Sequence, residues 1–114
     1  MARILIVEDE ILIAELLAMY IEDLGHEVIG PATTIDQALS ILSADRPEYA
    51  FLDCTLGQQD SAPIAETLAK DNVPFAFATG RGVEALPTDF KAQPMISKPY
   101  AFEDVERLLA ALTS

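Results

Sequence analysis

Apolar residues follow two alternating rhythms along this chain: short unbroken runs, and longer stretches in which they recur every three or four positions. The first run, Ile4-Leu5-Ile6-Val7, is rich in β-branched residues and stops at Glu8-Asp9-Glu10. That is the pattern of a strand buried on both faces. Behind it Ile13, Leu17, Ile21 and Leu24 mark one helical face that closes at Gly25, a residue suited to a left-handed C-terminal cap. His26 to Gly30 makes a second, weaker run, with His26 as a surface residue at its start. Thr34 and Gln37 then stand at capping-box spacing ahead of Ile35, Leu39 and Leu42, which predicts a second helix.

The third run, Tyr49 to Leu52, ends at Asp53, and Ala62 to Lys70 reads as a helix with Pro63 in its first turn. Pro74 to Ala78 is a fourth strand ending at Thr79. Gly80, Gly82 and Pro87 make the following helix short or irregular, since glycine and proline disfavour helix interiors. Pro94-Met95-Ile96-Ser97 is a brief fifth strand before Lys98-Pro99, and Phe102, Val105, Leu109 and Leu112 give a last helix its apolar face. Strands that alternate with helices predict an α/β fold with a five-stranded parallel sheet covered on both faces. Ligands of such sheets bind outside the carboxyl ends of the strands.

Composition narrows the possibilities. With 114 residues, 51% of them hydrophobic, the chain predicts one domain over residues 1–114. Nineteen acidic against seven basic residues give a net charge of −12, which repels phosphate backbones and anionic lipid, so neither nucleic acid nor membrane is an expected partner. Cys54, the single cysteine, can form no internal disulfide and is expected to face the core. The apolar runs are too short for a bilayer span or a signal-peptide core, and a reducing cytoplasm is the expected compartment.

The strand ends carry the candidate chemistry. Glu8 and Asp9 follow the first run, Asp53 the third, Thr79 the fourth and Lys98 the fifth. Carboxylates brought that close repel one another unless a cation offsets them or one takes a proton. Mg2+ is the economical cation, because it takes oxygen ligands and is commonly held by one or two carboxylates together with phosphate oxygens. A lysine can neutralise a transferring phosphoryl group, a threonine hydroxyl can donate to it, and a carboxylate can be its acceptor. Acidic residues before a helix are also ordinary caps, which is the plain alternative for Glu8-Asp9-Glu10.

Val7-Glu8-Asp9-Glu10, Leu52-Asp53, Ala78-Thr79-Gly80 and Lys98-Pro99, in this order and spacing, resemble the receiver domains of two-component signalling over the whole chain. The resemblance implies a flavodoxin-like (βα)5 doubly wound fold with strand order 2-1-3-4-5. It implies that Asp53 accepts a phosphoryl group from a histidine kinase, and that the chain is no enzyme beyond assisting this transfer and its reversal. It further implies that Asp9, Asp53 and the backbone carbonyl of Thr55 hold Mg2+ with Glu8 assisting through water. Thr79 and Lys98 would bind the phosphoryl oxygens, Gly80 would leave room for them, and the Lys98-Pro99 peptide would be cis.

Met95 stands where most receivers carry an aromatic switch residue. Phe75-Ala76-Phe77-Ala78-Thr79-Gly80 is instead similar to the Phe-Ala-Thr-Gly motif of the FAT GUY receivers, which are associated with HWE-type histidine kinases, although Arg81-Gly82 replaces that subgroup's usual continuation. The conformational response is therefore expected in Gly80-Arg81-Gly82. Gly57 occupies a place where receivers frequently have proline. Signalling by contact with a downstream protein and service as a phosphorelay shuttle or sink are both open. The rival readings are an aspartyl-phosphate phosphohydrolase of the haloacid-dehalogenase type, a flavodoxin-like electron carrier and a receiver-like binding module that is not phosphorylated. The first needs an aspartate where Thr55 stands, the second a Ser/Thr/Gly-rich loop where Glu8-Asp9-Glu10 stands, and the third ignores a complete acceptor, acid and lysine set.

Overall fold

A computed structural model describes residues 2–80 and 93–110. The elements run β1 (Arg3–Val7), α1 (Ile11–Asp23), β2 (Glu27–Ala32), α2 (Ile35–Ala44), β3 (Tyr49–Asp53), β4 (Thr55–Leu56), β5 (Gln59–Asp60), α3 (Ala62–Lys70), β6 (Phe75–Thr79), β7 (Met95–Ser97) and α4 (Phe102–Ala110). The main sheet has the order β2-β1-β3-β6-β7, with every pairing parallel. These are the five predicted strands in the expected order, and the fold is the flavodoxin-like α/β arrangement. The predicted irregular helix after Gly80, Arg81 and Gly82 with it, and the last apolar position Leu112 lie outside the described residues.

Strand geometry divides the core in two, because successive side chains point to opposite faces. Leu5, Val7, Leu52 and Phe77 pack with Ala38 and Leu42 of α2 and with Ile64 and Leu68 of α3. Ile4, Ile6, Phe51 and Ile96 pack with Ala14, Leu17 and Ile21 of α1 and with Val105 and Leu109 of α4. This is why the central runs contain no polar alternation: β3 and β6 are buried along their whole length. At about 25 cal/mol per Å2 of apolar surface, each buried Val, Leu, Ile or Phe side chain contributes roughly 1.5–3 kcal/mol.

Local signals held with instructive departures. α1 ends at the Leu24 cap with Gly25 at φ +88. Its start is not capped as the plain alternative supposed: Glu10 is the N-cap residue without a side-chain cap bond, and no acidic residue lies in the first turn. Glu8 Oε2 accepts the amide of Glu10 itself at 3.2 Å, and Asp9 Oδ2 accepts from Gly57. Thr34 Oγ1 accepts from Gln37 N at 3.1 Å as a capping box requires. The reciprocal bond, however, falls on Thr33, whose amide and hydroxyl both donate to Gln37 Oε1. His26 precedes β2 and is half-buried, its Nδ1 accepting the Ala2 amide at 3.0 Å. It ties the chain's beginning to β2 and is not simply a surface residue.

A two-stranded antiparallel hairpin, β4–β5, follows β3 and was not legible in the pattern. Its strands flank a turn at Gly57-Gln58 and are too short to show alternation. Leu56 anchors it in the α2–α3 core, and the buried Ser61 closes its base by donating through Oγ to the Cys54 carbonyl at 2.9 Å.

Candidate functional site

Register decides what meets at the carboxyl edge of the sheet. Val7 pairs with Leu52, Asp53 with Ala78 and Thr79 with Ser97, so the residues just beyond these pairs converge. Asp9, Asp53, Thr55, Thr79, Gly80 and Lys98 line one cavity of about 330 Å3, with Glu10 at its rim. Glu8 lies behind it, completely buried. All sequence-predicted site residues among the described ones therefore share this edge except Met95, which is half-buried on β7 and packs against the α2–α3 core. A Cβ added at Gly80 would meet nothing within 4 Å, so the space beside it is open.

Lys98 is the hub. Its Nζ lies 2.9 Å from Glu8 Oε1, 3.0 Å from Asp53 Oδ2 and 3.9 Å from Glu10 Oε1. Burial alone would lower the Lys98 pKa, but its hydrogen bonds to Glu8 and Asp53 outweigh that and hold it above its ordinary value. One ammonium does not satisfy this many carboxylates. Asp53, only 7% exposed, is pushed up to about 7, by burial first and by the neighbouring Glu8 next, with Lys98 offsetting part of both. Asp9 is anchored differently: its Oδ2 accepts the Gly57 amide of the β4–β5 turn at 2.8 Å. The Lys98-Pro99 peptide is cis, as the resemblance implied.

The donor set fits a hard divalent cation. Ligand oxygens of Glu8, Asp9 and Glu10 lie within 4.8 Å of one another, and Asp9, Asp53 and Thr55 face the same cavity. Oxygen donors in this number suit Mg2+, and burial first, then the neighbouring Glu8, disfavour an Asp53 carboxylate that such an ion would stabilise. Cys54 is no thiolate ligand: burial first and the Asp53 charge next push its thiol up to about 11. It is buried in the core, as expected.

Two participants were missed in the sequence. Gly57 acts through its backbone amide, which no side-chain pattern reveals. Tyr100, nearly fully buried, donates its hydroxyl to Glu8 Oε1 at 3.3 Å. Its place directly after Lys98-Pro99 was the available signal, but a tyrosine there reads as one more apolar residue.

Comparison with known proteins finds relatives in sequence and in overall fold. Sensory transduction protein LytT of Bacillus cereus is 34% identical over 98% of this chain and 46% of its own length. The phyllosphere-induced regulator PhyR of Methylorubrum extorquens is 35% identical over 95% of this chain and 42% of its own length. The chain thus spans about half the length of these curated relatives. The solution structure of SdrG from Sphingomonas melonis Fr1 superposes with a TM-score of 0.87 at 37% identity, covering 100% of this chain and 98% of SdrG. A BeF3-activated conformation of SdrG from Pseudomonas melonis Fr1 gives a TM-score of 0.82 at 36% identity, covering 98% of this chain and 96% of that one. The family model of the response regulator receiver domain matches residues 4–112, and the chain belongs to that family.

Proposed function

We propose that residues 1–114 act as a phosphoacceptor in two-component signalling, with Asp53 taking a phosphoryl group from the phosphohistidine of a histidine kinase. The observation that carries this reading is the convergence of Asp53, Asp9, Thr79 and Lys98 on one cavity at the carboxyl edge of a parallel sheet. An Asp53 carboxylate oxygen attacks phosphorus, the phosphorus–nitrogen bond breaks, and its electron pair returns to the imidazole. Lys98, 3.0 Å from Asp53 Oδ2, is positioned to follow the charge as it moves onto the phosphoryl oxygens, and Thr79 supplies a hydroxyl donor beside it.

Asp9, Asp53 and the Thr55 carbonyl would hold Mg2+, with Glu8 in support; the ion would neutralise phosphoryl oxygens and favour the ionised, nucleophilic form of Asp53. The BeF3-activated form of SdrG supports phosphoacceptor chemistry in a relative of this size. The Phe-Ala-Thr-Gly resemblance favours an HWE-type kinase as the donor, and the proposed exchange is a cytoplasmic one. Output then passes to a downstream protein or a phosphotransfer partner by contact, with Gly80-Arg81-Gly82 carrying the response in place of a strand aromatic at Met95.

The test is transfer. Incubation with a radiolabelled phosphorylated HWE-type kinase and Mg2+ is expected to label the wild type and not Asp53→Asn. Label retained by the variant, or absent from both across such kinases and small acyl-phosphate donors, overturns the assignment.

A further inference from the structure

Tyr100 sits between β7 and α4 and is nearly fully buried, so its hydroxyl needs an acceptor inside the protein. That acceptor is Glu8 Oε1 at 3.3 Å. Glu8 has no exposed surface. Its oxygens also receive Lys98 Nζ at 2.9 and 3.2 Å and, at Oε2, the Glu10 amide at 3.2 Å. A carboxylate held in this way stands behind the cavity that Asp9 and Asp53 line, not in its wall. Any new demand on Glu8 competes with these contacts. The hydroxyl is the one to yield, since 3.3 Å exceeds the usual hydroxyl–oxygen separation of about 2.7–2.8 Å and the bond carries no formal charge on its donor.

We infer that Tyr100 is a positioning residue for Glu8: its hydroxyl holds the carboxylate back beside Lys98 and loses it when Glu8 turns toward a divalent cation in the cavity. This rests on the metal-dependent receiver reading above and adds a relay to it. Tyr100 packs in the α1–α4 core with Val105 and Leu109. The next residue, Ala101, accepts the Asp104 and Val105 amides through its carbonyl and so holds the first turn of α4. Phe102 meets Tyr20 of α1 edge-on at 5.4 Å. A change at the Tyr100 hydroxyl thus reaches α4 and α1 along covalent and packed contacts, a route from site to surface that needs no aromatic at Met95.

The experiment is a Mg2+ titration of the whole chain carrying 13Cζ-tyrosine, followed by NMR together with the Asp9 and Asp53 amides. The Cζ resonance of Tyr100 is expected to move on the same curve as those amides, while that of Tyr49, buried on β3, stays in place. Tyr100→Phe, which frees Glu8 from one contact, is expected to bind Mg2+ roughly two- to fivefold more tightly. A Tyr100 signal unmoved at saturating Mg2+, or an unchanged affinity in the variant, makes the hydroxyl merely structural and overturns the inference. Wild-type Asp9 and Asp53 amides that ignore Mg2+ overturn the metal reading itself, and the inference with it. Should Tyr100→Phe fail to fold, the labelled wild type decides alone.

Discussion

At the scale of the residue, the surroundings of Asp53 oppose the role proposed for it. Burial first and Glu8 next push its pKa up to about 7, whereas the phosphoacceptor proposed above would work as the carboxylate. The consequence for stability has a definite sign. The native state keeps a proton that the unfolded chain releases near its ordinary value of 3.8, so native protons exceed unfolded ones between these limits and stability falls as pH rises through that window. We expect metal-free protein to lose on the order of 2 kcal/mol between pH 4 and pH 7 through this group, an amount discounted from the full shift for relaxation of Lys98 and Glu8. Asp53→Asn should flatten that slope and be the more stable protein at pH 8. Urea midpoints across pH check both points, and parallel curves for the two proteins would disprove the placement of this proton.

Elements show what a sequence pattern can and cannot carry. β2 is the instructive case, because its pairing with β1 slips between Leu5 and Val7 where Gly30 takes φ +94. A Cβ there would come within 2.8 Å of the Ala32 amide nitrogen and 3.0 Å of the Ile6 carbonyl oxygen, and neither backbone atom can give way cheaply. Gly30→Ala is expected to cost about 2–3 kcal/mol, read as a lower urea midpoint at unchanged slope. The milder Thr34→Ala, losing the α2 cap, should cost about 1 kcal/mol. An effect of Gly30→Ala no larger than that of Thr34→Ala would contradict the close approach. The strand runs and the charged residues at their ends were legible because both reflect one-dimensional rules: burial on two faces writes an unbroken apolar run, and ligand chemistry sits where the run stops. What escaped depends on three-dimensional closure. The slip at Gly30 belongs to the pairing of two strands, the β4–β5 hairpin to a turn too short for a period, and the Tyr100–Glu8 bond to a contact across ninety-two positions. For the same reason the sequence showed that carboxylates gather at the site but not that Lys98 would face Glu8 and Asp53 together.

For the molecule as a whole, a net charge of −12 makes two kinds of cation response possible, and they must be separated. Diffuse self-repulsion is relieved by any salt, because screening depends on ionic strength alone. A built site responds to the ion that fits it, and a ligand that binds only the folded state stabilises by RT ln(1 + [L]/Kd), about 1.4 kcal/mol at tenfold Kd. Thermal unfolding in Mg2+ and in NaCl of equal ionic strength therefore distinguishes them. The wild type is expected to gain several degrees more from Mg2+ than from NaCl, on the scale of about 4–8 °C per kcal/mol for domains near this size. Asp9→Ala removes a carboxylate that lines the cavity and accepts the Gly57 amide, so it should keep the NaCl response and lose most of the Mg2+ increment. Equal increments from both salts in both proteins would mean that the acidic edge is only part of a charged surface. A selective loss in the variant instead ties the fold's stability to the edge where Asp53 stands, and makes the charge imbalance there a property of the site and not of the composition.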